Sequence, residues 1–240
     1  MAYDAAPAPN PPPAAPMQKH TVLFLAANPT DTDRLALDQE ARAIQIELER
    51  SGHREQLELA TRWATEPLDL LRELRRLKPT VVHFSGHGQR ARGGSATTTR
   101  HRDVGGAELG DDGQQPGLVF QASDGRARLV SAAAIEQTFG AAGSSVKLVV
   151  LNACYSAQQA AALLAHVECV VGMAGSIRDD AARQFAVGFY GGLGEREPVA
   201  AAYRQGRAAM SLMGLGDGDL PQLSVRKGID ATQLVLTAPR

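Results

Sequence analysis

The sequence predicts an α/β domain, a mostly parallel sheet covered by helices on both faces. Two observations carry this. Short, continuous apolar runs at Thr21–Ala27, Thr80–Phe84, Val146–Leu151 and Glu168–Ala174 read as strands buried on both sides. Segments with apolar residues at helical spacing separate them, so the chain opens strand–helix–strand–helix–strand.

Composition sets the bounds. The 240 residues fit one large α/β domain, and a hydrophobic fraction of 44% is enough for a sizeable core. A formal net charge of −1 gives no reason to expect nucleic-acid or membrane binding. The two cysteines, Cys154 and Cys169, lie in or just after apolar runs, which suits reduced thiols in a cytoplasm. No apolar run reaches a membrane-spanning length, and no basic-then-apolar signal peptide opens the chain.

Taken in order, residues 1–18 are Pro/Ala-rich and read as a disordered leader; 19–240 form the folded domain. After the first strand, Asn28-Pro29 breaks the run, and Asp33 or a neighbour is placed to cap a helix over Leu35–Glu49. That helix carries Leu35, Leu37, Ala41, Ile44, Ile46 and Leu48. Leu57–Ala64 reads as a strand. Pro67 fits the first turn of a helix through Leu77, with Leu70, Leu71, Leu74 and Leu77 on one face.

Residues 89–117 then show no apolar periodicity, and a loop that long is functional or disordered. Leu118–Ala122 and Arg128–Val130 flank Ser123-Asp124-Gly125 as a hairpin. Ser131 caps a helix over Ala132–Phe139 that Gly140 ends. Ala157–His166 is expected to be helical, as are Asp179–Leu193 and Pro198–Met213. Leu223–Val225 and Ala231–Leu236 are expected edge strands.

Two turns carry the chemistry. Thr80–Gly88 (TVVHFSGHG) ends in a glycine-flanked histidine, His87, and Lys147–Ser156 (KLVVLNACYS) places Cys154 just past a strand. Ligands of open α/β sheets bind at that edge, and a helix N-terminus favours thiolate. If the two strands are neighbours, the two side chains meet as a cysteine-hydrolase dyad. The Gly88 and Cys154 N–H groups are placed to receive an oxyanion. Each residue also has a bland reading, a solvated loop histidine and an unreactive thiol. Ser85 and Asn152 are either supports of the dyad turns or plain turn residues, and His83 is packed or hydrogen-bonded in mid-strand. No G-x-S-x-G elbow, no glycine-rich phosphate loop and no zinc spacing is present, so no metal or cofactor is expected.

The VVHFSGHG block at 81–88, the LVVLNACYSA block at 148–157 and the GMAGSIRDDAARQFAVGFYGGL block at 172–193 resemble the CHAT domain, a caspase-like peptidase of clan CD. The opening TVLFLAANPTDTDRLALDQEARAI resembles bacterial CHAT proteins of defence and signalling systems. The resemblance covers most of residues 20–228. It implies a three-layer sandwich around a mostly parallel six-stranded sheet, with His87 as general base and acid and Cys154 as the nucleophile. A backbone carbonyl would orient the imidazole. Asp179 or Asp180 would line a pocket for a basic P1 side chain; each also suits a helix N-cap. The implied substrate is a protein and the implied partner an activating sensor. A fold kept as an interaction module with little chemistry is the alternative, and an NAD-cleaving domain is a more remote one.

Overall fold

In the computed structural model, residues 19–89 and 116–237 are described; the expected leader over 1–18 and nearly all of the expected 89–117 loop lie outside them. The elements are β1 (His20–Ala26), α1 (Leu37–Arg50), β2 (Leu57–Arg62), α2 (Pro67–Leu77), β3 (Val81–Ser85), β4 (Gly88–Gln89), β5 (Gly117–Gln121), β6 (Ala127–Ser131) and α3 (Ala132–Ala142). They continue with β7 (Leu148–Asn152), α4 (Ala160–Leu163), β8 (Cys169–Met173), α5 (Asp179–Gly194), α6 (Val199–Leu212) and β9 (Pro221–Val225). A six-stranded sheet runs in the order β2-β1-β3-β7-β8-β9, parallel except for β9. Strands β4, β5 and β6 form a small antiparallel sheet beside it.

The three layers follow from this order. A right-handed crossover fixes which face its helix covers. From β1 to β2 the chain moves one way across the sheet; from β2 to β3, and onward to β7 and β8, it moves the other way. So α1 covers one face, and α2, α3 and α4 cover the opposite one. Alternation along the strands matches. Val22, Phe24, Val81, Leu148, Val150 and Val171 pack with α1, α5 and α6. Leu23, Leu25, Val82, Phe84, Val149 and Val170 pack with α2 and α3. Since β1 and β3 carry the chain in opposite directions across the sheet, their C-terminal ends flank the crevice where such folds hold ligands.

Several expectations change. Asp33 does not cap α1: the cap position is Ala36, which offers no side-chain bond, and Asp179 Oδ2 accepts the Ala36 N–H at 3.1 Å. Helix α2 starts as expected at Pro67, closed by a reciprocal Glu66/Asp69 capping box. Ser131 does cap α3, but the helix runs through Gly140 to Ala142 and stops at Gly143, whose φ is 92°. Gly140 is there for space rather than termination, because a Cβ on it would lie 2.9 Å from the His166 ring. The expected helix over Ala157–His166 is instead a 3-10 turn, Ser156–Gln159, followed by the four residues of α4. Pro221–Val225 supplies the edge strand. Ala231–Leu236 does not pair. The Ala231 and Leu234 carbonyls accept the Ala200 and Val199 N–H groups at 3.0 and 2.9 Å, so this segment satisfies the orphan donors at the start of α6.

Candidate active site

Strands β3 and β7 are adjacent and parallel, with Ser85 opposite Asn152. Two residues past that pair come His87 and Cys154. Both line one open cleft, together with Leu35, Ala36, Glu40, Ile177 and Asp179. The two chemically capable side chains therefore share a rim with no strand between them.

The His87 ring is oriented by backbone. Its Nε2 lies 2.8 Å from the Asp33 carbonyl oxygen. A carbonyl only accepts, so Nε2 carries the proton and the lone pair is on Nδ1. Cys154 is half-buried. Its Sγ lies 3.6 Å from Ser176 Oγ and 4.0 Å from the Ile177 carbonyl. Among the described residues no hydrogen bond joins it to the imidazole; catalytic contacts of this kind commonly tighten only with substrate bound. Tyr155, directly after the nucleophile candidate, has φ 59°, and its N–H is held by the Gly175 carbonyl at 3.1 Å. A bulky residue in the left-handed region stores strain of about 1–3 kcal/mol, and such strain concentrates at functional turns. The short helix after Cys154 gives only a weak dipole, so the expected help to the thiolate from that source is small.

Gly88 packs directly on the Cys154 peptide, and a Cβ there would lie 2.1 Å from the Cys154 carbonyl oxygen. The Val119 N–H donates to the His87 carbonyl at 2.9 Å. In an antiparallel ladder bonded and non-bonded pairs alternate, so the Gly88/Leu118 pair is non-bonded and the Gly88 N–H points away from β5.

Below the cleft lies a group that the sequence reading passed over. Glu40 of α1 is buried, yet its carboxylate accepts from Ser85 Oγ at 2.5 Å, Asn152 Nδ2 at 2.5 Å and His83 Nε2 at 2.9 Å. His83 Nδ1 lies 2.9 Å from the Tyr190 hydroxyl of α5, and its ring stacks on Phe24 at 4.9 Å. Burial alone would push the Glu40 carboxyl up; the His83 ring and the bonds from His83, Ser85 and Asn152 outweigh it and hold the group below its usual range. Burial, and then the Glu40 charge, push Tyr190 well up, so it stays a neutral hydroxyl. The signal was present: Glu40 sits three residues after Leu37 and four before Ile44, on the apolar stripe of α1.

The remaining candidates separate. Asp179 lines the cleft and Asp180 does not; Asp180 instead pairs with Arg178 at 3.6 Å. Neither is the N-cap of α5, a position held by Arg178. Ser85 and Asn152 are tied to Glu40 rather than being plain turn residues. Burial, followed by the Glu168 charge, pushes the Cys169 thiol up to about 12, so it is an inert core residue. Among the described residues no group of three or more His, Cys, Asp or Glu side chains is placed to hold a metal ion, and no helix is long and apolar enough to cross a membrane.

Comparison with known proteins adds the following. A family model described as the CHAT domain matches residues 3–213. A secreted C11 cysteine protease from Bacteroides thetaiotaomicron, solved in complex with an irreversible peptide inhibitor, superposes with a TM-score of 0.53 at 13% identity, over 81% of this chain and 59% of that one. Another structure of a secreted C11 cysteine protease from that organism gives a TM-score of 0.42 at 12% identity, over 68% of this chain and 55% of that one. The chain thus spans less than two thirds of those structures' length. The first superposition shows that the fold is the caspase-like α/β sandwich. No curated protein matches the chain.

Proposed function

The chain belongs to the CHAT domain family, and from that premise we propose that it is a caspase-like cysteine endopeptidase that cleaves a partner protein through His87 and Cys154. The observation that supports this most is the register of β3 on β7, with Ser85 opposite Asn152. It sets an imidazole and a thiol two residues beyond neighbouring strand ends.

The chemistry follows from the atoms. His87 Nδ1 takes the Sγ proton, and the thiolate attacks the scissile carbonyl carbon. The resulting oxyanion meets the Gly88 and Cys154 N–H groups. The imidazolium, steadied by the Asp33 carbonyl, returns its proton to the leaving amine as the C–N bond breaks. Water, deprotonated by the same Nδ1, then hydrolyses the thioester. Asp179 at the cleft wall favours an arginine or lysine at P1. Activation by an associated sensor protein in a bacterial defence or signalling system belongs to the same proposal, supported by the opening sequence block. So does a reducing, cytoplasmic setting that keeps Cys154 a thiol.

A second reading, an interaction module with little chemistry, draws on one observation: the thiol lies against Ser176 and Ile177 rather than the imidazole. Co-expression with the products of neighbouring genes, followed by mapping of new protein termini, separates the two. A peptidase gives new termini after arginine or lysine that disappear with Cys154→Ala. Identical termini with and without the thiol would refute it, and termini after apolar residues would refute the role of Asp179.

A further inference from the structure

We infer that Glu40 is a positioning residue for the proposed reaction: its buried carboxylate ties the end of β3 to the end of β7 and so sets the gap across which His87 and Cys154 meet. The inference rests on the reading that those two residues carry the chemistry.

The backbone ladder gives out where the site begins. Between β3 and β7 the Gly86 N–H reaches the Asn152 carbonyl only at 3.4 Å, a long bond at the strand ends. Glu40 supplies a cross-link at that point. One carboxylate oxygen accepts from Asn152 and His83, and the other accepts from Ser85. Ser85 and Asn152 are each two residues before a reacting side chain, and they face each other across the ladder. One rigid acceptor thus holds both turns.

Asn152 shows that this contact is chosen rather than incidental. A carboxylate accepts and cannot donate, so Glu40 forces the Asn152 amide to present Nδ2. The other amide atom, Oδ1, is then left buried with no partner among the described residues, and Asn152 lines the cleft. A leucine at position 40 would continue the apolar stripe of α1, yet the chain places a charge there and orders three donors around it. The titratable groups that face the carboxylate directly are His83 and Tyr190, one bonded to it and the other to His83; His87, Cys154 and Asp179 line the same cleft. On the outer turn of the same helix pair, Arg183 is occupied by Gln39.

The test reads Cys154 itself and needs no substrate. The rate of Cys154 alkylation by iodoacetamide is followed against pH in the full chain by mass spectrometry, with Cys169 as the unreactive internal reference and thermal melting in parallel. The wild-type chain is expected to react faster near neutral pH than His87→Ala, which lacks the imidazole that takes the thiol proton. If those two profiles coincide, the dyad fails and this inference falls with it. Given a dyad, Glu40→Gln is expected to react roughly tenfold more slowly near neutral pH, with its profile moved toward that of His87→Ala. A Glu40→Gln profile that superposes on wild type while the melting point falls overturns the inference, leaving Glu40 a purely structural group. Should Glu40→Gln not fold, Ser85→Ala decides. It deletes one donor of the clasp and must shift the profile the same way by a smaller amount; an unmoved profile overturns the inference as well.

Discussion

Replacing Gly88 with alanine is the sharpest probe of the site's geometry. An alanine Cβ would lie 2.1 Å from the Cys154 carbonyl oxygen, 3.1 Å from its carbon and 3.2 Å from its nitrogen. Ordinary contact begins at 3.4 Å, so the two backbones must part by more than an ångström. No flexible side chain can absorb this, because every one of the three nearest atoms is main chain. A displacement of about 1 Å between reacting groups costs on the order of 100-fold in rate, or about 2.7 kcal/mol of transition-state stabilisation. Overpacking adds a stability loss of about 1–3 kcal/mol. Gly140→Ala is the matched control. Its Cβ also makes a close contact, 2.9 Å, but against the His166 ring on the far side of α3. The assay is kcat/KM on an arginyl peptide, or the Cys154 alkylation rate where activity is latent, with melting curves for both variants. Gly88→Ala is expected to lose about 100-fold in rate and Gly140→Ala to lose stability alone. Full activity in a folded Gly88→Ala chain would mean that this glycine does not pack on the Cys154 peptide, and the proposed oxyanion role would go with it.

Two further outcomes follow from buried polar contacts. Ser156 is wholly buried, donates to the Leu151 carbonyl at 2.7 Å and accepts from the Met173 N–H at 2.9 Å, joining the ends of β7 and β8. Ser156→Ala is expected to cost about 2–3 kcal/mol by leaving buried groups unsatisfied, read as a drop in denaturation midpoint; a change under about 0.5 kcal/mol refutes this. Glu40 has a carboxyl pKa lowered below 4.5, so the unfolded chain binds its proton more readily than the folded one. Its contribution is therefore complete above that value, declines as pH falls below it, and is gone once pH passes the lowered folded value. Denaturant curves at about pH 6 and about pH 3.5 should show wild type losing more stability on acidification than Glu40→Gln, and equal losses would refute the assignment.

Much of the architecture was legible because it rests on local chemistry. Continuous apolar runs mark strands covered on both faces, and Pro67 and Ser131 open helices for reasons contained within a few residues. The two turns were legible too, since glycine around His87 and the small residues before Cys154 are exceptions to the strand pattern. Where sequence reasoning stumbled, a distant partner had overruled a local signal. Gly140 looked like a helix end, but His166 needs the space. Ala231–Leu236 looked like a strand, but its carbonyls serve α6.

The sequence alone therefore determined most of the strands and helices, the layer pattern and the two candidate side chains, His87 and Cys154, because each depends on neighbours within a turn or a strand. Only the tertiary structure decided that β3 lies against β7 with Ser85 opposite Asn152, that the Asp33 carbonyl holds the imidazole, and that Asp179 rather than Asp180 reaches the cleft. The same holds for Glu40, whose partners lie 43, 45 and 112 positions away along the chain. Hydrogen bonds over such separations leave no periodic trace. They exist because packing of the apolar faces fixes strand order and register, and that packing is a property of the whole core.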